Sequence, residues 1–141
     1  MPDLEPTAVV RRFNLEVIEQ GNAESFQELM SSDFINHSAP DGAQRGPEGM
    51  WATFDRVLRP AISGMSVIIE DQVCDGDKVA TRKAITGTLT GALMGRAPTG
   101  APIRIEVIDI VRVKDGRYVE HWGINTLGAV LAGLDAGEGR P

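Results

Sequence analysis

Apolar residues recur at helical spacing through the first part of the chain. The stripe of the first predicted helix consists of Val10, Phe13, Val17 and Ile18. Gly21 ends this helix, and Asn22 is a favourable N-cap for a short second helix that extends to Met30. A third predicted helix begins at Pro47 and ends at Pro60. Its apolar face consists of Met50, Trp51, Phe54, Val57 and Leu58.

The second half of the chain has the pattern of an antiparallel sheet. The predicted strands are 65–74, 79–88, 103–114 and 117–124, a short strand (34–37) precedes the third helix, and a last short helix covers 126–134. Asp75-Gly76 and Asp115-Gly116 predict hairpin turns, because such turns need positive φ angles. Helices followed by strands predict an α+β fold. We expect a curved, mainly antiparallel sheet packed on about three N-terminal helices, forming a cone with a central cavity.

Composition and charge limit the classes of function. The 141 residues are expected to form a single domain over 1–141, with an ordered core of about 5–134 and a frayed tail, 135–141. The net charge of −6 disfavours nucleic acid and anionic membranes as partners. No apolar run approaches the roughly 20 residues of a membrane span. Because Cys74 is the single cysteine and the N-terminus is unlike a signal peptide, a cytoplasmic location is expected.

Several kinds of site are not predicted, because the sequence lacks their motifs. The two histidines and the single cysteine lack metal-ligand spacing, so no metal site is predicted. The glycine-spaced segment 91–95 lacks the Lys-Ser/Thr ending of a phosphate loop, and no nucleophile elbow or dinucleotide motif occurs.

Asp109 is the clearest indication of chemistry, because it interrupts an apolar strand. Alternation puts it on one face with Ile105, Val107, Val111 and Val113. Burial raises the pKa of a carboxyl, which suits a general acid, a donor to an oxyanion or a base near neutrality. The alternative is a structural Asp paired with an inward Arg or hydroxyl. Arg82 shares a strand face with the small Ala80 and Ala84, so it could reach Asp109 or a ligand anion, or else it forms a cross-strand surface pair.

Other polar and aromatic residues are weaker candidates. Asn14 lies within the apolar stripe of the first helix, so its amide needs a partner: a substrate carbonyl or the protein's own backbone. His37 opens a loop, as catalytic residues often do, or is a surface histidine. His121 either lines the cavity or faces solvent or a partner chain. Trp51 and Trp122 fit the core better than a ligand platform.

Several short segments together carry a family resemblance. They are 10–13, 20–22, 33–37, 45–49, 87–91, 97–100, 108–112 and 115–123. In order and spacing they resemble the SnoaL-like polyketide cyclases of the nuclear transport factor 2-like superfamily, over about residues 9–134. The resemblance implies three helices over a curved sheet and a dimer through the sheet. It also implies a cofactor-free pocket for a small, mainly apolar ketone or polyketide.

The resemblance further implies roles for single residues. Related ketosteroid isomerases carry an Asp three residues before an Arg, as Asp109 precedes Arg112 here, and that Asp donates to an enolate oxygen. Their tyrosine donor corresponds to Asn14 and their general base falls near Asn36-His37, where His37 would have to serve. SnoaL-type cyclases carry an Asp soon after the His-Trp pair, a stretch occupied here by Asn125 and Thr126. The residues expected to bind substrate are Asn36, Arg82, Trp51, Trp122, Asn125 and Met94.

These observations leave several functions open. The first is a cofactor-independent acid/base enzyme that acts on a small apolar carbonyl compound. His37 or His121 removes a proton, while protonated Asp109 and Asn14 hold the enolate oxygen, which leads to aldol cyclisation or isomerisation. The alternatives are a non-catalytic protein that binds a hydrophobic metabolite, an epoxide hydrolase of the limonene type that uses Asp109 and Arg82, and a dimeric interaction module.

Overall fold

A computed structural model describes residues 4–138 and has an α+β fold. The helices are α1 (Pro6–Arg12), α2 (Ala23–Leu29), α3 (Pro47–Ala52) and α4 (Leu127–Glu138). The π-helical segments Phe13–Glu19 and Thr53–Leu58 continue α1 and α3. The strands are β1 (Met30–Asn36), β2 (Ile62–Asp75), β3 (Lys78–Leu89), β4 (Pro102–Lys114) and β5 (Arg117–Asn125). No helix among the described residues is long and apolar enough to span a membrane.

The five strands form one open, mixed sheet in the order β1-β5-β4-β3-β2. Strands β2 to β5 pair antiparallel with their neighbours, and β1 lies parallel to β5 at one edge. The predicted α+β fold with a mainly antiparallel sheet is therefore confirmed. Gly76, Asp115 and Gly116 have φ angles of 62°, 52° and 76°, which are the positive values expected of the two hairpin turns.

Some element boundaries differ from the prediction. Met30 opens β1 instead of closing the second helix, and its backbone is extended. Helix α4 continues to Glu138 rather than ending at residue 134. Asp135, at the start of the predicted frayed tail, accepts two hydrogen bonds from Arg96. Residues 139–141 of that tail lie outside the described residues.

The inner face of the sheet packs against α1 and its π-helical continuation. The stripe predicted for the first helix is buried: Val10, Phe13, Val17 and Ile18 are each 0–1% exposed. Phe13 stacks on Tyr118 of β5, with ring centroids 4.0 Å apart. Burial also alternates along β4 from Ile103 to Val113, as a strand with one covered face requires. This packing also places Asn14, the residue after Phe13, against the inner face.

Arg59 holds the C-terminal end of the first helical unit. Its guanidinium donates to the carbonyl oxygens of Ile18, Glu19 and Val17 at 2.9, 3.2 and 3.1 Å. Gly21 makes room for this group, because a Cβ there would lie 2.8 Å from the guanidinium carbon. The arginine supplies donors for carbonyl groups that the helix leaves unpaired.

We expect Arg59→Met to lower the free energy of unfolding by about 2 kcal/mol, since hydrogen bonds to charged groups are lost while the apolar stem is kept. Urea unfolding measures the change. Arg56→Met, at an exposed position of the same helical segment, is the control and should change stability by less than about 0.5 kcal/mol. Equal effects of the two substitutions would contradict the capping role.

Candidate active site

Asp109 points from the middle of β4 into the inner face of the sheet. It is 5% exposed, which confirms the inward orientation predicted from strand alternation. Its cross-strand neighbours are Thr81 on β3 and Gly123 on β5. Thr81 is also buried, and Gly123 has no side chain. The carboxyl group therefore lies deep in the sheet, where a Cβ at position 123 would come within 3.2 Å of the Cβ of Asp109.

A buried lysine approaches Asp109 from the neighbouring strand. Nζ of Lys83 lies 3.4 Å from Oδ2 of Asp109, and the two side chains are only 4% and 6% exposed. Nζ also donates to Oδ1 of Asn14 at 2.6 Å. Lys83 faces inward because Thr81 pairs with Asp109, so residues 79, 81, 83 and 85 of β3 share the inner face. Burying an ammonium group requires such partners.

His121 approaches the same carboxyl oxygen from β5. Its Nε2 lies 3.2 Å from Oδ2 of Asp109, and its Nδ1 lies 2.8 Å from Oδ1 of Asn36. The Asn36 oxygen also accepts the backbone N–H of Ser38 at 3.0 Å, so it is an acceptor. Nδ1 therefore carries a hydrogen, and Nε2 and Asp109 are positioned to share a proton.

Asn14 connects this group to the first helix. Its Nδ2 donates to the backbone carbonyl of Val10 at 2.9 Å, while its oxygen accepts from Lys83. Of the two partners expected for this amide, the structure contains the protein's own backbone, together with a lysine that had not been predicted. We call Asn14, Lys83, Asp109 and His121 the buried network.

The charges in the buried network determine the state of Asp109. Burial raises the pKa of the carboxyl, but the charge of Lys83 and the hydrogen bond with His121 outweigh it and hold that pKa below its usual value. The raised pKa expected from sequence is therefore wrong, because the expectation counted burial without a buried cation. Burial, together with the negative charge of Asp109, raises the pKa of Tyr118 well above its usual value.

One oxygen of Asp109 has no hydrogen-bond partner in the described part of the chain. Lys83 and His121 both contact Oδ2, whereas Oδ1 is buried and has no hydrogen bond within residues 4–138. Buried polar atoms are nearly always paired, so an unpaired one in a native site needs an explanation. An ionised carboxylate only accepts hydrogen bonds. Oδ1 is thus a basic oxygen of a carboxylate that lies beside a cation. Of Lys83 and His121, which both contact Oδ2, His121 is the more exposed, at 16%.

Two clefts are not lined by Asp109, although Lys83 of the buried network lines the first of them. One of about 260 Å³ is lined mainly by outward-facing side chains of β2 to β5, together with Lys83, Val107 and Asn125. The other, of about 390 Å³, lies between residues 97–99 and the second half of α4. Neither is lined by Asp109, His121 or Asn14. We assign the site from the buried network, because volume alone does not indicate chemistry.

Comparison with protein families identifies the fold. The model of the SnoaL-like polyketide cyclases matches residues 8–134. The chain belongs to this family. This SnoaL-like protein is similar in structure to IdmH from Streptomyces antibioticus, a proposed polyketide cyclase, with 29% identity and a TM-score of 0.80 over 93% of this chain and 99% of that one. A proposed polyketide cyclase from Bacillus cereus is 26% identical, with a TM-score of 0.75 over 91% and 78% of the two chains.

A third solved structure shares the fold at lower identity. AclR from Streptomyces galilaeus, a proposed hydroxylase, is 22% identical, with a TM-score of 0.79 over 93% of this chain and 85% of that one. No curated protein sequence matches the chain significantly. The family and the fold predicted from sequence are confirmed, and the solved structures that share this fold include one proposed as a cyclase and one proposed as a hydroxylase.

Arg82 does not reach Asp109 in this SnoaL-like chain. It lies on the outer face, where its guanidinium is 3.5 Å from Asp71 and its side chain is 55% exposed. Of the alternatives stated for Arg82, the structure contains the cross-strand surface pair, formed with Asp71 of β2, and Lys83 rather than Arg82 occupies the inner face. Asp109 and Arg82 therefore do not assemble the set that a limonene-type epoxide hydrolase needs.

The two histidines lie on opposite sides of β5. Nε2 of His37 contacts Glu120 at 2.8 Å, and its ring stacks on Trp122 with centroids 4.9 Å apart. Trp122 also carries the ammonium of Lys78 above its ring, so it lies on the outer face rather than in the core. His121, not His37, faces Asp109.

The remaining predicted binding residues are dispersed. Trp51 packs on Phe26 at the edge of the core, with ring centroids 5.0 Å apart. Met94 is 52% exposed in the connection between β3 and β4. Oδ1 of Asn125 accepts the backbone N–H of Leu127 at the start of α4. Only Asn36 joins the buried network, through its hydrogen bond with His121.

Proposed function

We propose that this SnoaL-like protein is a cofactor-independent acid/base enzyme that acts on a small, mainly apolar carbonyl compound of the polyketide type. The observation that carries the proposal is the buried Oδ1 of Asp109, an acceptor with no hydrogen-bond partner among residues 4–138, in a carboxylate beside a fixed lysine. Family membership supports the substrate class.

The reaction begins with proton abstraction. Oδ1 of Asp109 takes a proton from a carbon next to the substrate carbonyl, and the electron pair of that C–H bond moves onto the carbonyl oxygen. The ammonium of Lys83 beside the carboxyl stabilises the negative charge as it passes from the carboxylate to the substrate oxygen. The enolate carbon then attacks a second carbonyl, which closes a ring, and the alkoxide formed there takes up the proton held by Asp109. In an isomerisation, the conjugated enolate instead takes that proton at a different carbon. His121, which contacts Oδ2, exchanges the proton of Asp109 with solvent.

A binding protein is the second candidate. It is favoured by the low exposure of Lys83 and Asp109, which leaves little access to the base without movement. In that case a hydrophobic metabolite would be held without conversion, and Asp109→Asn would change affinity alone.

Deuterium uptake distinguishes the two candidates. The protein is incubated in heavy water with cyclic ketones, diketones and polyketide mimics, and mass spectrometry reports deuterium beside the carbonyl. Uptake that Asp109→Asn loses supports the enzyme. Equal uptake in both proteins contradicts it, and thermal stabilisation by the compounds without uptake favours the binding protein.

We also propose a homodimer through the outer face of the sheet, as the family resemblance implied. Five apolar side chains on this face are 40–71% exposed: Ile68, Val73, Ile108, Ile110 and Ile124. Cross-strand pairing puts Ile110 beside Ala80 and Trp122, so these residues form a continuous apolar surface. Apolar patches of this kind mark interaction sites.

Ile110→Glu is expected to raise the dimer dissociation constant about 100-fold, because a carboxylate is desolvated at the centre of the patch. Light scattering coupled to size-exclusion chromatography measures the mass across a dilution series. Leu15→Glu, at a helical position of similar exposure (49%), should leave the mass unchanged. A monomeric wild-type protein would contradict the proposal.

A further inference from the structure

We infer that Lys83 is a positioning residue, which together with His121 engages Oδ2 of Asp109 and thereby leaves Oδ1 as the oxygen that meets the substrate. The inference rests on the proposed function for its consequence in catalysis. The contacts of Lys83 and His121 with Oδ2 do not depend on that function.

Lys83 is anchored rather than flexible. Its Nζ is held by Asn14 at 2.6 Å, and Asn14 is held in turn by the carbonyl of Val10 at 2.9 Å. The lysine stem leaves the inner face of β3, next to the cross-strand partner of Asp109. Two strands and the first helix therefore fix where the positive charge lies. A long side chain held this way loses little further freedom when a substrate binds.

The position of the charge selects one of two equivalent oxygens. A carboxylate has two oxygens of equal basicity in water, and only contacts make them differ. Lys83 lies 3.4 Å and His121 3.2 Å from Oδ2, while Oδ1 has no hydrogen bond within the described residues. Since hydrogen bonds to an anion lower the basicity of the oxygen that accepts them, the free oxygen is the better base.

The charge also keeps the carboxyl ionised. The titratable groups that face Asp109 are Lys83 from β3 and His121 and Tyr118 from β5, and the first helix contributes the neutral Asn14. Of these, Lys83 is the buried cation, with a side chain that is 4% exposed. Without it, the desolvated carboxyl would take up a proton at higher pH and would no longer be a base.

Carbon-13 NMR of the Asp109 carboxyl tests the inference without requiring turnover. In the wild type, the carboxyl should titrate below the ordinary Asp value of about 3.9. In Lys83→Met, which keeps the stem and removes the charge, the midpoint should rise by about one to three pH units, and Lys83→Arg should restore most of the shift. Lys114→Met, at an exposed position of β4, is the control and should leave the midpoint unchanged.

The deuterium assay then links this titration to catalysis. The acid limb of the uptake rate should move up in Lys83→Met by the same amount as the carboxyl midpoint. A uniform loss of rate with no change of midpoint would indicate a merely structural lysine and overturn the inference. If no compound shows uptake, the proposed function fails while the NMR titration still decides on Lys83. If Lys83→Met does not fold, Lys83→Gln replaces it, and a wild-type midpoint above about 3.9 overturns the inference by itself.

Discussion

Asp109→Asn is expected to slow deuterium uptake beside the substrate carbonyl by about 10²–10⁴-fold, the usual contribution of a general base. Asn has nearly the shape of Asp and can still donate a hydrogen bond, but it cannot accept a proton from carbon. The substitution therefore separates the base that the structure favours from the protonated donor predicted from sequence. Initial rates of uptake, measured by mass spectrometry at equal folded concentration, give the comparison.

The exposed Asp41, in the loop before α3, provides a matched control for this substitution. Asp41→Asn should keep the full rate. If Asp109→Asn keeps more than about a tenth of the rate, the carboxylate is not the base, and the donor role regains support.

The pH dependence of the uptake rate has a definite sign. Burial raises the pKa of Asp109, but Lys83 and His121 outweigh burial, so the folded-state pKa lies below the unfolded value. As a base, Asp109 stays ionised from neutral pH into mild acid, and the rate falls only below about pH 3.9, whereas a protonated donor would give a rate that rises as the pH falls. The free energy of unfolding depends on pH with the same sign. The contribution of the Asp109 carboxylate to it is complete above about pH 3.9 and is lost as the pH falls through the folded-state pKa.

The sequence was sufficient to place Asp109 because the information lies within one strand. Burial along β4 alternates from Ile103 to Val113, so one polar residue on the covered face can be recognised without knowing its neighbours. The helical stripe around Asn14 is recognisable for the same reason. Both predictions depend on local periodicity, which one sequence contains.

The partners of Asp109 depend on pairing between strands, which one sequence does not contain. Lys83 differs from the expected Arg82 by one residue, and a one-residue change of register reverses the face of every side chain in a strand. On β5 an irregularity separates the pairs formed by Tyr118 and Glu120, so the buried Tyr118 and the inward His121 are three residues apart instead of two or four. Alternation within β3 itself, with Val79, Thr81 and Ile85 on one face, was the signal that would have indicated Lys83.

Gly123→Ala is expected to reduce uptake about 10- to 100-fold while leaving the protein folded. A Cβ at this position would lie 3.0 Å from Cε1 of His121 and 3.2 Å from Cβ of Asp109, closer than such atoms normally approach. The imidazole of His121 therefore has to shift, since Asp109 is held by its own strand and by Lys83. Displacing a reacting group by about 1 Å costs on the order of 100-fold in rate.

The stability of Gly123→Ala should change by only about 1 kcal/mol, because removing glycine from a strand offsets part of the crowding. Uptake rates, urea unfolding and the ring-proton NMR signals of His121 measure the three quantities. Gly128→Ala, where an added Cβ meets nothing within 4 Å, is the control and should leave the signals of His121 in place. Wild-type uptake in Gly123→Ala together with displaced His121 signals would mean that the histidine is not part of the reaction. The carboxylate and the lysine would then have to be sufficient, because no other titratable group of the buried network contacts Oδ2 of Asp109 within residues 4–138.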